Sequence, residues 1–270
     1  MAACRTGSLP PELSADDPEG GLRIGVVLSG RYRLLREIGK GQTGYVYEAE
    51  DISRGEEGIT ERRVAVKCSW HEWEFEGEKW LVEKGLAGTA AFPRIDEVFQ
   101  ALVAGQQTEW HCMAMECCGP TIEAQWEAYR GNEDLIRKLA RALLEALALL
   151  HAAGGLHCDL KPANIVEALP PAQGWRIVDW GLMWQLPSGS NCHRGTWGYQ
   201  SPEMLMGHEF DAKTDMWAAG VMLAERFLGE PWGEGSTQLF QELDLEGSCA
   251  AGDILHQIQW TLGSLPPWMG

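Results

Sequence analysis

The run Leu150 to Val166 reads L-H-A-A-G-G-L-H-C-D-L-K-P-A-N-I-V and places His157, Asp159, Lys161 and Asn164 in one loop after a helical stripe. A carboxylate such as Asp159 can accept or orient the proton of a hydroxyl nucleophile. Asn164, five residues on, offers a carbonyl oxygen to a hard cation such as Mg²⁺. The run Ile177-Val-Asp179-Trp-Gly181 brings a second carboxylate to a strand end, where it could hold a metal that bridges phosphates. Upstream, Gly39-Lys-Gly41-Gln-Thr-Gly44-Tyr-Val46 sets three glycines between two strand-like runs. Glycines there let backbone N–H groups approach phosphate oxygens with no Cβ in the way. Taken alone, that pattern is equally a glycine-rich hairpin turn. Ala65-Val66-Lys67 puts one Lys in an apolar strand, where its charge needs a partner. Either Asp alone could be a capping residue, but the ordered set points to phosphoryl transfer.

These residues need elements to hold them. Tyr32-Arg-Leu-Leu, Tyr45-Val-Tyr47 and Val64-Ala-Val66 read as strands separated by turn residues, with Arg54 to Arg63 a polar hairpin loop. Glu72 to Leu86 reads as a helix weakened by Gly77, and the strand signal returns from Trp110 to Met115. Asn132 is an N-cap candidate followed by two acids. Leu135, Ile136, Leu139, Leu143, Leu147 and Leu150 then recur at three- and four-residue steps, one buried stripe that Gly154-Gly155 ends. Short strands follow at Ile165-Val166 and from Trp175 to Val178, then an irregular segment, then a helix from Thr214 to about Leu228. Residues 1–30, rich in Pro, Gly, Ser and acids, read as a mobile tail.

Composition narrows the function classes. Lys and Arg number 22 against 39 Asp and Glu, for a net charge of −17. Such a chain repels polyphosphate and anionic lipid, so neither nucleic acid nor membrane is expected as a partner, whereas a basic protein would be steered towards it. The eight cysteines form no C-x-x-C pair and are expected to be reduced. The first 21 residues carry one Arg, four acids and no apolar core, unlike a secretory leader. An intracellular protein, cytoplasmic or nuclear, is expected. The 13 tryptophans are scattered, which suits packing rather than a cofactor box.

From about Tyr32 onwards the sequence resembles a eukaryotic-type protein kinase, with some similarity to the cyclin-dependent-kinase-related group. The resemblance implies an α+β, two-lobed fold: a small β-rich N-lobe over about 31–118 and a larger helical C-lobe over about 119–270. It implies a serine/threonine kinase that uses ATP and Mg²⁺ on a protein substrate and works as a monomer. Gly39, Gly41, Gly44, Val46, Ala65, Lys67, Met115, Glu116 and Cys118 would bind the nucleotide, with Met115 as gatekeeper and Glu116 to Cys118 facing adenine. Asp159 would be the catalytic base, Lys161 a contact to the transferred phosphate, and Asn164 and Asp179 the metal ligands. Lys67 would pair with a helix Glu, for which Glu78 is favoured among Glu72, Glu74, Glu76, Glu78 and Glu83 because Leu81 and Val82 follow it at helical spacing. Gly195-Thr196 and Ser201-Pro202-Glu203 resemble the end of an activation segment. Asp215 resembles the residue that braces the catalytic loop.

Three departures keep a second reading open, a pseudokinase that binds ATP or acts as a scaffold without turnover. Cys158 stands where the family carries Arg before the catalytic Asp, which implies activity without activation-loop phosphorylation. Trp180 replaces the usual Phe after Asp179. No Lys or Arg follows Arg226, so Glu203 is expected to lack the Arg that pairs with it in the family. Asp253 to Pro267 resembles a helix well before the family's usual end, so the terminal helices are either missing or divergent.

Overall fold

The computed structural model describes residues 21–41, 43–52, 62–103, 109–186, 194–205 and 207–229. Two compact units emerge. The described part of one comprises residues 21–120 and 166–181; the other comprises 121–165 and 182–229 without the undescribed positions.

The first unit is built on six antiparallel strands: β1 (Val27–Leu28), β2 (Tyr32–Lys40), β3 (Gly44–Asp51), β4 (Arg62–Ser69), β5 (Ile95–Leu102) and β6 (Glu109–Glu116). Their order across the sheet is β1-β2-β3-β4-β6-β5. Strand alternation sorts the side chains. Tyr45, Tyr47 and Ala49 of β3, Val64, Val66 and Cys68 of β4, and Trp110, Cys112 and Ala114 of β6 share one buried cluster. The intervening residues therefore project from the opposite face, and register sets them side by side: Val46 lies opposite Lys67, Lys67 opposite Met113, and Ala65 opposite Met115. The sheet thus collects Val46, Ala65, Lys67 and Met115 on one surface, although they span seventy residues of sequence.

Between β4 and β5 the expected single helix is instead a 3-10 turn, Glu72–Phe75, running into α1 (Glu76–Glu83). The second unit begins with α2 (Trp126–Tyr129) and α3 (Glu133–Ala152). Asn132 caps α3 as expected, its side chain accepting from the Leu135 N–H at 3.2 Å. Ile136, Leu139, Leu143, Ala146, Leu147 and Leu150 are buried, while Leu135 at the margin of the stripe is only half-buried. After β7 (Gly155–Leu156) come β8 (Ile165–Glu167), β9 (Trp175–Ile177) and β10 (Trp184–Gln185), the last paired antiparallel with β7. Then follow α4 (Pro202–Leu205) and α5 (Lys213–Leu228), the latter packed on α3. Gly229 closes α5 in the left-handed conformation, its N–H bonded to the Glu225 carbonyl.

The division of the chain differs from the expected boundary near residue 118. Residues 166–181, expected in the helical part, belong with the β-rich unit. The Ile177 N–H donates to the Ala91 carbonyl at 2.9 Å, Arg176 pairs with Glu116 at 3.3 Å, and the buried Trp180 ring meets Phe92 edge-on at 5.4 Å. Of the tail expected over 1–30, residues 21–30 are instead built onto the sheet, with Leu22 and Leu28 buried and Val27–Leu28 paired with β2, because those two leucines join the core; Arg62 and Arg63 of the expected Arg54 to Arg63 loop lie in β4. Residues 1–20 and 53–61, Cys192 and the Asp253 to Pro267 run lie outside the described residues.

Candidate active site

Within the β-rich unit, Lys67 is the centre of a carboxylate cluster. Its Nζ lies 2.6 Å from Glu74 Oε1 and 2.8 Å from Asp179 Oδ1. The partner is therefore Glu74 and not Glu78, which corrects the expectation from helical spacing. The reason is local. Glu74 sits in the 3-10 turn, whose tighter winding brings it to the ammonium, whereas Glu78 lies a turn further along in α1. Glu78 is nevertheless buried, and its Oε2 has no hydrogen-bond partner. Burial pushes its carboxyl up to about 7, against the opposing pull of Lys67. Burial would lower Lys67, but Asp179, Glu78 and Glu74 together overcome that and hold it above its ordinary value.

Gly77 explains how the helix reaches this cluster. A Cβ there would stand 2.3 Å from the Trp180 carbonyl oxygen and 2.6 Å from its Cβ, so only glycine lets α1 press against the Asp179–Gly181 turn. That turn is itself constrained: Asp179 has φ 67, in the left-handed region that side chains other than Gly, Asn and Asp rarely adopt. Trp180, where the family pattern has Phe, is buried, its Nε1 donating to the Ile177 carbonyl at 3.2 Å.

The glycine loop divides by function. At Gly44 an added Cβ would lie 2.0 Å from the Cys68 carbonyl oxygen, so this glycine serves packing against β4. At Gly39 and Gly41 an added Cβ meets nothing closer than 3.7 Å, so the fold itself does not require glycine there. Both positions would leave the loop backbone open to a ligand. At the end of β6, the Glu116 N–H is donated to the Arg94 carbonyl, its carboxylate is held by Arg176, and its carbonyl meets the Cys118 thiol at 3.8 Å. Burial raises the thiols of Cys117 and Cys118, the latter to about 12, which keeps both protonated and inert at neutral pH.

Within the helical unit, Asp159 anchors a second cluster. Its Oδ1 accepts from the Thr196 hydroxyl at 2.7 Å; its Oδ2 accepts from Lys161 Nζ at 3.0 Å and from Asn164 Nδ2 at 3.2 Å. Lys161 also donates to Thr196 Oγ1 at 2.7 Å, so the hydroxyl is oriented to give its own proton to Asp159. In the sequence, Thr196 reads only as part of the end of a segment. Its signal was the Gly195-Thr196 pair, because Gly195, with φ 86, passes so close to Cys158 that a Cβ would lie 2.5 Å from its carbonyl oxygen.

The loop carrying Asp159 hangs from Asp215. The N–H groups of His157 and Cys158 donate to its two carboxylate oxygens, each at 2.9 Å, and His151 Nε2 lies 2.9 Å from Oδ2. These bonds hold Cys158 at φ 64, a strained conformation for a side chain of its kind. Cys158 is buried where the resemblance expects Arg. Arg194 lies over the Trp184 ring at 4.3 Å and donates to the Leu182 carbonyl. Among the described residues no ion pair reaches Glu203.

Each unit presents an oxygen donor of the kind that hard divalent cations take. Asn164 spends its amide nitrogen on the Asp159 carbonyl and carboxylate, which leaves the side-chain oxygen as its ligating atom. In the β-rich unit, Asp179 presents a carboxylate that is 45% exposed.

The comparisons with known proteins point to one family. The protein kinase domain model matches residues 32–260. The chain belongs to the protein kinase family. It is 30% identical over 224 residues to "Putative cyclin-dependent kinase F-2" of Oryza sativa subsp. japonica, covering 78% of this chain and 66% of the relative. It is 31% identical over 255 residues to dual specificity protein kinase YAK1 of Saccharomyces cerevisiae, covering 91% and 29% respectively. Serine/threonine-protein kinase 1 of Arabidopsis thaliana is 30% identical over 238 residues, with 84% and 25% covered. The chain thus spans about two thirds of the first relative and less than a third of the other two.

Proposed function

We propose that this kinase transfers the γ-phosphoryl group of Mg-ATP to serine and threonine hydroxyls of proteins. The observation that carries the reading is the Asp159 cluster, in which Lys161, Asn164 and Thr196 fix both carboxylate oxygens. Phosphoryl transfer asks for positioning and charge stabilisation more than for covalent help. The acceptor hydroxyl oxygen bonds to the γ-phosphorus, the bond to the β–γ bridging oxygen breaks, ADP leaves, and the hydroxyl proton passes to the Asp159 carboxylate. Lys161 offsets charge near the acceptor, and Lys67 is the cation for the nucleotide phosphates. Magnesium, when bound, neutralises phosphate charge, with Asn164 and Asp179 as its protein donors.

The net charge of −17 supports a basic substrate, and the described free thiols suit a reducing intracellular setting. The test is label transfer from γ-labelled Mg-ATP to a basic protein, comparing the parent with Asp159→Asn and identifying the labelled amino acid. Label on Ser or Thr that the variant loses supports the proposal. Label on Tyr alone, or none above the variant in a folded protein that still binds ATP, refutes it; the second result leaves the pseudokinase reading.

A further inference from the structure

Ser69 closes β4 two residues beyond Lys67 and is fully buried. Its hydroxyl works in both directions. Oγ donates to the Thr43 carbonyl oxygen at 2.8 Å and accepts from the His71 N–H at 3.0 Å. Thr43 belongs to the glycine loop, between Gly41 and Gly44. His71 is the N-cap residue of the 3-10 turn that carries Glu74. One hydroxyl therefore joins the loop to the segment that holds Lys67. Ser69 is fully buried at the end of β4, where a polar side chain persists only through such bonds. Among the described residues the loop is also held at its base, where the Gly41 N–H donates to the Gly44 carbonyl at 2.9 Å, Lys40 lies over the Tyr45 ring and Gly44 rests on the Cys68 backbone.

We propose that Ser69 is a positioning residue for the phosphate end of the nucleotide, setting the glycine loop relative to Lys67 and Glu74. The inference rests on the ATP-binding reading above. It separates two parts of the ligand. Val46, Ala65 and Met115 are placed by the strand ladders, which bind without help from the Ser69 hydroxyl. The phosphates depend on the loop. Loss of the hydroxyl should therefore weaken ATP and spare adenosine.

The experiment titrates Mg-ATP and adenosine into the full chain by calorimetry, using the parent, Ser69→Ala, Ser69→Cys and Ser69→Thr. Cysteine fills the same space with a poor donor, so it serves if alanine disturbs the sheet; threonine restores the hydroxyl. Ala and Cys are expected to weaken ATP roughly fivefold to tenfold, with adenosine changed less than about twofold and Thr close to the parent. Undiminished ATP affinity in the Ala and Cys variants, or equal loss for both ligands, overturns the proposal. A folded parent that binds neither ligand overturns the ATP-binding reading instead.

Discussion

Glu78→Gln should stabilise this protein by about 3 kcal/mol at pH 8 and by less than about 1 kcal/mol at pH 5. The Glu78 carboxyl is buried with one oxygen lacking any hydrogen bond, and its titration is raised from 4.5 to about 7 because burial disfavours the charge. Between those values the native state keeps a proton that the unfolded chain has released. Stability therefore falls as pH rises through that window and levels off above it. The gap corresponds to about 3 kcal/mol, and a neutral isostere removes the whole of it. Lys67 does not lose its compensation, since Glu74 and Asp179 stay at 2.6 and 2.8 Å. Urea unfolding of parent and variant at pH 5 and pH 8, at one ionic strength, reads the difference directly. The control is Glu74→Gln, which breaks the buried pair and should cost on the order of 3 kcal/mol at both pH values. If Glu78→Gln is instead destabilised at pH 8, Glu78 is ionised and paired with Lys67, and the assignment of Glu74 fails.

Other consequences follow from single contacts. Gly77→Ala should lower stability by about 2 kcal/mol, because the new Cβ meets the Trp180 carbonyl, even though alanine favours helix by about 1 kcal/mol; a thermal melt that rises would refute the close packing. Asp215→Ala leaves the His157 and Cys158 N–H groups without their acceptor and should cost about 4 kcal/mol, with faster hydrogen exchange at those two amides; unchanged exchange would contradict the brace. Thr196→Val removes the hydroxyl between Asp159 and Lys161 and should lower kcat roughly tenfold to a hundredfold with KM for ATP unchanged, by steady-state kinetics. A rise in KM alone would place Thr196 outside the chemistry.

Much of the architecture was legible because it rests on local rules. Asn132 capping α3, the stripe from Ile136 to Leu150 and the alternation along β3 and β4 follow from helical and strand periods, which any short window displays. Asp159, Lys161 and Asn164 lie within six residues, so their convergence on one another is also written locally. Residue pairing across long separations was not. Several glutamates follow Lys67 closely, and choosing among them needed the 3-10 turn that tightens the chain at Glu72–Phe75; helical spacing assumes uniform winding and pointed to Glu78. The same holds for Thr196, which meets Asp159 across 37 residues of sequence. Gly77 looked like a flaw in a helix and proved to be the surface on which Trp180 rests. The sequence by itself determined which chemical groups are present and on which strand face or helix stripe each lies. Only tertiary structure decided which carboxylate meets Lys67 and which is buried with one oxygen lacking a hydrogen bond, because those outcomes depend on ångström-scale packing between elements that sequence spacing does not encode.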